Sequence, residues 1–416
     1  MSERIVIKEI CEVYDGPHAT PKKTVDGPVY LGIDAITDDG KINAKEFAHL
    51  SEEDYIKWTK RVTPQYGDIV FSYEATLGRY ALIPKDFYGC LGRRLAIIRN
   101  VSKDIDTLWL YYYFLSPEWK QFIQSKIIKG STVNRISVED FPTYTVPNIS
   151  IKVQRKIANI LSKIDEKIAL NNNINDNLEQ QLMLLYDYWF TQFDFPDNDG
   201  NPYQTSGGKM VWNDTLKRNI PENWKVQSVI SNCLSSIIKP GIEIFNTKTY
   251  LATADVKGTS ISTGTTVDYD GRESRANMQP SINSVWFAKM KNSIKHLYLN
   301  KEMQPIISSS ILSTGFCGLQ CNEISFEYIA SYVSNAYFEI HKDMLAHGAT
   351  QEAVNNDDLA GVHIIIPEDT VLRAYHETTQ AIYAQISKNV CENQELVKLR
   401  DWLLPMLMNG QATISD

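Results

Sequence analysis

Two groups of polar residues in this chain have the types and the loop-like settings needed to grip a polyanion and read its bases. The first begins with Phe71-Ser72-Tyr73-Glu74-Ala75-Thr76-Leu77-Gly78-Arg79, an apolar run that passes into a glycine-containing polar loop. Lys22 and Lys23, Gly92-Arg93-Arg94, Thr132 and Asn134-Arg135 add cations, a hydroxyl and an amide in segments that read as loops. The second group is Lys289, Lys291, Asn292, Ser293 and Lys295, with Lys257, Arg272 and Arg275 in polar loops and Thr350-Gln351 at the place of Thr132-Val133. Arginine reads guanine bidentately and asparagine or glutamine reads adenine, while lysine and hydroxyl groups seat phosphates. Any one of these residues alone is what a solvated surface carries. Their recurrence as clusters points to DNA.

Reactive chemistry is harder to find. Gly207-Gly208-Lys209-Met210 lacks the first glycine and the final hydroxyl of a phosphate loop. Asn201-Pro202-Tyr203 resembles part of an amino-methyltransferase motif, but no glycine-rich strand-turn-helix precedes it to hold a nucleoside cofactor. No nuclease-type acidic-x-Lys element is apparent, and the seven histidines pair with no nucleophile. Cys317 and Cys321 form a lone CxxxC without a second pair at zinc spacing. The expectation is a binding protein with no catalytic residue, no metal and no cofactor of its own. Two rivals stay open: a self-contained DNA methyltransferase or nuclease with unrecognised motifs, and a coiled-coil scaffold with no DNA role.

The elements that must position the polar clusters are written twice. Gly130-Ser131-Thr132, Glu139-Asp140-Phe141 and a helical pattern from Val153 to Phe190 return as Gly348-Ala349-Thr350, Asp357-Asp358-Leu359 and a pattern from Thr370 to Asn409. The glycines are 348 − 130 = 218 residues apart, far beyond a solenoid period of about 20–50 residues. In the first helix Ile157, Leu161, Ile164, Ile168, Asn171, Asn175, Leu178, Leu182, Leu185 and Trp189 alternate spacings of four and three, the seam of a coiled coil. The same offset gives Tyr375, Thr379, Ile382, Ile386, Asn389, Asn393, Leu396, Arg400, Leu403 and Leu407. Asn171, Asn175, Asn389 and Asn393 would meet in either a parallel or an antiparallel pair. Modules related by a twofold axis require the antiparallel one, with the amides fixing register.

At 416 residues with 43% hydrophobic and 11% aromatic residues, the chain suits two folded domains plus connecting helices. Residues 1–148 and 225–367 read as mixed α/β (α+β) domains, 149–192 and 368–416 as long helices, and 193–224 as a turn-rich linker. Strands are expected at Ile69-Val70-Phe71 and Leu95-Ala96-Ile97-Ile98, and a helix over Leu108–Lys129 that Pro117 must interrupt. Net charge is 42 − 50 = −8, which argues weakly against a free-standing nucleic-acid binder. No run is long and apolar enough for a membrane helix and no signal peptide opens the chain, so a cytoplasmic protein with reduced cysteines is expected.

With these parts assembled the chain resembles the specificity subunits of type I restriction-modification enzymes. The resemblance rests on Asp15-Gly16-Pro17-His18-Ala19-Thr20-Pro21, on Gly67-Asp68-Ile69-Val70-Phe71-Ser72 with Thr76-Leu77-Gly78, and on the helix onset Val146-Pro147 through Gln154-Arg155-Lys156-Ile157. Asp165-Glu166-Lys167-Ile168, Trp189-Phe190 and Ile220-Pro221-Glu222-Asn223-Trp224 extend it over essentially the whole chain. It implies two target-recognition domains in tandem, separated by two long helices in an antiparallel coiled coil with pseudo-twofold character. It further implies double-stranded DNA, two methyltransferase subunits and motor-nuclease subunits as partners. S-adenosylmethionine, ATP and Mg2+ would reside on those partners. The chain departs from the pattern at Thr379 and Arg400 in the seam, in the missing Pro-x-x-x-Gln onset after Pro367, and at Pro405, where the helix is expected to deviate from a regular coil.

Overall fold

The computed structural model describes residues 3–130 and 133–412, and the chain divides into two compact units. One comprises Met1–Asp165 with Leu399–Asp416, the other Glu166–Lys398. The duplication visible in the sequence is a duplication of fold.

In the first unit a four-stranded antiparallel sheet runs in the order Cys11–Asp15, Leu95–Asn100, Ile69–Ser72, Tyr80–Leu82. Ile69–Ser72 is buried on both faces, hence its unbroken apolar run. A smaller sheet pairs Ala48–His49 with Thr24–Leu31, and the latter runs parallel to Gly89–Leu91. Arg4–Val6 closes the unit against Thr145–Pro147. Helices Thr107–Leu115 and Pro117–Ser125 pack on the sheet through Trp109, Tyr113, Phe114 and Trp119, all fully buried. The break between them falls where proline requires it. Pro117 occupies the first turn, which needs no N–H donor, and Ser116 Oγ accepts from Trp119 N at 3.3 Å.

The second unit repeats this plan. Its main sheet has the order Ser235–Ile237, Phe316–Cys321, Ser284–Ala288, His296–Leu299. Lys248–Leu251 runs parallel to Ser310–Ser313, and Lys225–Ser228 pairs with His363–Ile366. Tyr30-Leu31 and Tyr250-Leu251 hold matching positions in the two parallel pairs. Helices Phe326–Ser334 and Ala336–Leu345 stand where the first pair stood, with Asn335 as the intervening cap. The stretch expected as a linker is built into this unit's core. Phe193 and Phe195 are buried, and Phe195 stacks on Tyr203 at 4.7 Å and on Trp224 at 4.9 Å. Aromatic surface of that size gains far more from burial than a tether gains from freedom.

The long helices are Ile151–Tyr186, continued by a π-helical turn Asp187–Thr191, and Asp369–Met408. Every seam position predicted from the spacing is buried or half-buried. Within the first unit Ile157 and Leu161 share a core with Leu404 and Leu407. Within the second, Asn175 meets Asn389 and Asn171 meets Asn393. Later residues of one helix face earlier residues of the other, so the pairing is antiparallel. The second helix runs through Pro405 to Met408; the proline lies in the last turn, where it removes one hydrogen bond. Thr379, apolar-facing and buried, satisfies its hydroxyl on Tyr375 O at 2.7 Å. Buried Gln154 ties the first helix onset to the preceding loop, donating to Asp104 O and Ile149 O and accepting from Asp106 N at 2.7 Å. The corresponding residue 218 places later is Leu372, also fully buried.

Candidate nucleic-acid interface

In the first unit three loops converge at one end of the main sheet. Tyr73 N donates to Arg94 O at 3.1 Å, Ile136 N donates to Tyr73 O at 2.8 Å, and Arg135 and Ile128 exchange backbone hydrogen bonds. This junction presents Arg93, Asn134 and Arg135, all exposed. Among the described residues neither Arg93 nor Arg135 has an ion-pair partner, which leaves both guanidinium groups for an outside anion. Lys22 and Lys23 are likewise exposed, just before Thr24–Leu31.

Other residues of this cluster serve the fold. Ser72 is fully buried, and its Oγ accepts from Arg79 N at 3.1 Å to close the turn. Tyr73 is buried, and burial together with the nearby Asp15 carboxylate raises its phenol pKa. Arg79 is spent on a bidentate pair with Asp38, at 2.6 and 3.1 Å, and on Ile36 O at 3.0 Å. Arg94 adopts φ +74° and places Nε 3.0 Å from Glu74 Oε1. Thr76 is half-buried in the same turn, and Thr132 lies outside the described residues. The sequence reading missed Lys60 and Arg61. They are exposed and border a cleft with Asp15, His18 and Trp58, placed there by the short helix Glu52–Trp58. Their adjacency just after a capped helix was the available signal.

The second unit reproduces the junction with different side chains. Lys289 N donates to Gly315 O at 2.9 Å, and Val354 N donates to Lys289 O at 3.0 Å, as Ile136 does to Tyr73. Lys257 is exposed in the tight hairpin Val256–Ile261, and Arg275, Thr350 and Gln351 are exposed as well. Lys291 is paired with Glu352 at 2.7 Å, Lys295 reaches Thr253 O at 2.5 Å, and the Arg272 guanidinium lies 4.0 Å over the Tyr269 ring. Asn292 sits at φ +55°, its N–H held by Asp343 Oδ2 at 3.1 Å. Below this turn lies a buried ionic group. Lys342 donates to Glu339 at 2.6 Å and reaches Ala288 O and Ser293 O, while His296 Nε2 meets the other Glu339 oxygen at 2.9 Å. Burial alone would raise the Glu339 pKa, but His296 and Lys342 outweigh it and hold it below the ordinary carboxylate value.

The seam amides form a chain of their own in the second unit. Asn389 donates to Asn175 at 2.7 Å, Asn171 to Asn393 at 2.9 Å and to Glu392 at 2.7 Å, and Asn393 to Asn172 at 2.9 Å. Lys167 completes the Glu392 site at 3.1 Å. In the first unit Arg400 solves the problem of a charge in the seam by pairing with Asp165 at 2.9 Å, which also accepts from Tyr112 at 2.7 Å. Among the described residues no group of three or more histidine, cysteine or acidic side chains is placed to hold a metal ion.

Residues 2–180 match the family model for the type I restriction modification DNA specificity domain. Beyond that stretch, the MjaIX specificity subunit of Methanocaldococcus jannaschii is 23% identical over 382 residues, 88% of this chain and 82% of that protein. The chain is similar to the specificity subunits of type I restriction enzymes over most of its length. It is also similar to the HindI specificity subunit of Haemophilus influenzae, 22% identical over 411 residues, 83% of this chain and 86% of that protein. Among solved structures the chain resembles the type I S subunit from M. genitalium, with a TM-score of 0.49 and 14% identity over 99% of this chain and 96% of that one. No helix of the described residues is long and apolar enough to cross a membrane.

Proposed function

We propose that this protein is a specificity subunit that binds double-stranded DNA through its two loop junctions, each reading one half of a bipartite, asymmetric site. The recognition domains are residues 1–148 and 225–367, and the helices of 149–192 and 368–416 set the half-site spacing, near one turn of DNA. The same helices dock two methyltransferase subunits, with motor-nuclease subunits joining that assembly in the cytoplasm. S-adenosylmethionine, ATP and Mg2+ belong to those partners. One observation carries the reading: a single fold is built twice with the same backbone junction, yet most of the side chains at the junctions differ, Tyr73 and Arg94 in one standing where Lys289 and Gly315 stand in the other. Repetition suits a common ligand, and divergence suits two different words.

Selection from random DNA by the subunit assembled with methyltransferase subunits tests this. Enrichment of one split motif with unlike halves is expected; a contiguous motif, or none, refutes it. Robust methylation or cleavage by the isolated chain with Mg2+ and S-adenosylmethionine would favour the enzymatic alternative. Removing seven residues from each helix at the same heptad phase should change the preferred spacer and leave both halves intact.

A further inference from the structure

A short hairpin is built at the same place in both units. In the first it follows Tyr30-Leu31 and the helical turn Ile33–Ala35, and Ile36 bridges Ile42. In the second it follows Tyr250-Leu251 and the helical turn Thr253–Asp255, and Val256–Lys257 pairs with Ser260–Ile261. The second hairpin turns through Gly258-Thr259, with Gly258 at φ +59°, the conformation such a tip requires. A two-stranded ribbon of this size does not hold its own shape in water. Its pose is therefore set by what it is tied to.

In the second unit the ties run in two directions. On one side the hairpin joins the polar turn of the loop junction. His296 N donates to Gly258 O at 2.9 Å, and Lys295 Nζ donates to Thr253 O, just before the hairpin, at 2.5 Å. On the other side both long helices hold it. The Thr259 hydroxyl donates to Glu179 Oε1 of the first helix at 2.7 Å, and Gln394 Nε2 of the second donates to Ile261 O. Glu179 is half-buried, and burial pushes its carboxyl above the ordinary range while the Thr259 hydroxyl acts against that shift. Each anchor directly follows a seam residue, Leu178 or Asn393. In an antiparallel pair, a slip of register therefore carries the two anchors in opposite directions. Lys257, beside the tip, is exposed and has no ion-pair partner among the described residues. The first hairpin is held otherwise, by Arg79 on Ile36 O at 3.0 Å and Tyr111 OH on Gly40 O at 2.7 Å, and its tip carries Asp38 and Asp39.

We propose that Glu179 and Gln394 are positioning residues that, through the hairpin Val256–Ile261, seat Lys257 on a DNA phosphate of the second half-site. This inference rests on the proposed function and adds to it: the helices orient a DNA-contacting element directly, besides setting the distance between halves. A lysine is a point charge on a flexible stem, which suits a phosphate better than a base edge. The carboxylates at the first tip disfavour the same contact there, so it belongs to the second half alone.

The test is the salt dependence of binding to the selected site by the methyltransferase-loaded complex. Lys257→Ala should weaken binding about three- to tenfold, make the slope of log affinity against log salt shallower by about 0.9, and leave the motif unchanged. Thr259→Val removes the Glu179 bond from the hairpin side and spares the helix. Combined with Gln394→Ala it should reproduce that loss, and it should add nothing in a chain already carrying Lys257→Ala. Thr259→Ser keeps the hydroxyl and should bind as the wild type does. Losses that add to that of Lys257→Ala overturn the inference, because the anchors then act elsewhere. An unchanged slope in Lys257→Ala overturns it too, as does a base preference lost at one position, which would put the lysine on a base. A wild-type complex that selects no split motif removes the underlying function instead, and this inference with it.

Discussion

Asn389 donates its side-chain amide to Asn175 Oδ1 at 2.7 Å, with both side chains buried in the helix seam. A buried amide without a partner costs about 1–3 kcal/mol, while removing both partners together can be nearly neutral. Asn175→Ala alone should therefore destabilise the second unit by that amount. Asn175→Leu with Asn389→Leu should recover stability and lose the unique register. Denaturant titrations in a double-mutant cycle, with crosslinking across the seam, check both.

Arg400 places a charge in the seam, and its pairing with Asp165 predicts a large effect. Burial acts to lower the Arg400 pKa, yet Asp165 outweighs it and raises it overall. Among the described residues Arg400→Ala leaves the Asp165 side chain with the Tyr112 hydroxyl. A loss of about 1.5–3 kcal/mol is expected, the range for hydrogen bonds to charged groups. Asp165→Asn with Arg400→Met should restore part of it.

The Glu339 group predicts an acid limb. A carboxylate whose folded pKa lies below its unfolded value of about 4.3 stabilises the fold above that value. The contribution is lost as pH falls through the depressed folded pKa. Denaturation midpoints of the wild type should therefore drop below about pH 4.3. Glu339→Gln should be less stable at pH 7 by roughly 1.5–3 kcal/mol, because buried Lys342 loses its nearer charged partner and falls back on Asp343 at 3.5 Å. Its profile should be flatter on the acid side.

Gly348 and Gly130 predict unequal costs at equivalent places. A Cβ on Gly348 would meet Gln351 O at 2.4 Å, and one on Gly130 would meet Val133 O at 2.3 Å. Only Gly348 also holds φ +140°. Alanine should destabilise at both positions, by more than about 1 kcal/mol at Gly348, with the smaller effect at Gly130. Thermal melts of the two variants provide the comparison.

The helix seam was fully legible because burial along a coil repeats every three or four residues, so Ile157 through Trp189 announced themselves. The strands Ile69–Ser72 and Leu95–Asn100 were legible as buried apolar runs, and Pro117 marked the helix break. The ionic choices were not. Whether Arg79 faces a ligand or Asp38 depends on two segments 41 residues apart meeting in space, and no local pattern records that meeting. Lys342 was hidden for the same reason: its carbonyl acceptors Ala288 and Ser293 carry no side-chain signature. The burial of Phe193 and Phe195 was not legible either, because the turn residues around them show no apolar periodicity.

Lys342 grips the polar turn of the second unit by its main chain, through Ala288 O and Ser293 O, and not by its side chains. Such a grip is indifferent to which residues occupy positions 289, 291 and 295. The turn can therefore be rewritten, by drift or by design, while its path stays the same. A recognition surface supported in this way can acquire a new preference by single substitutions, without first finding a new loop conformation.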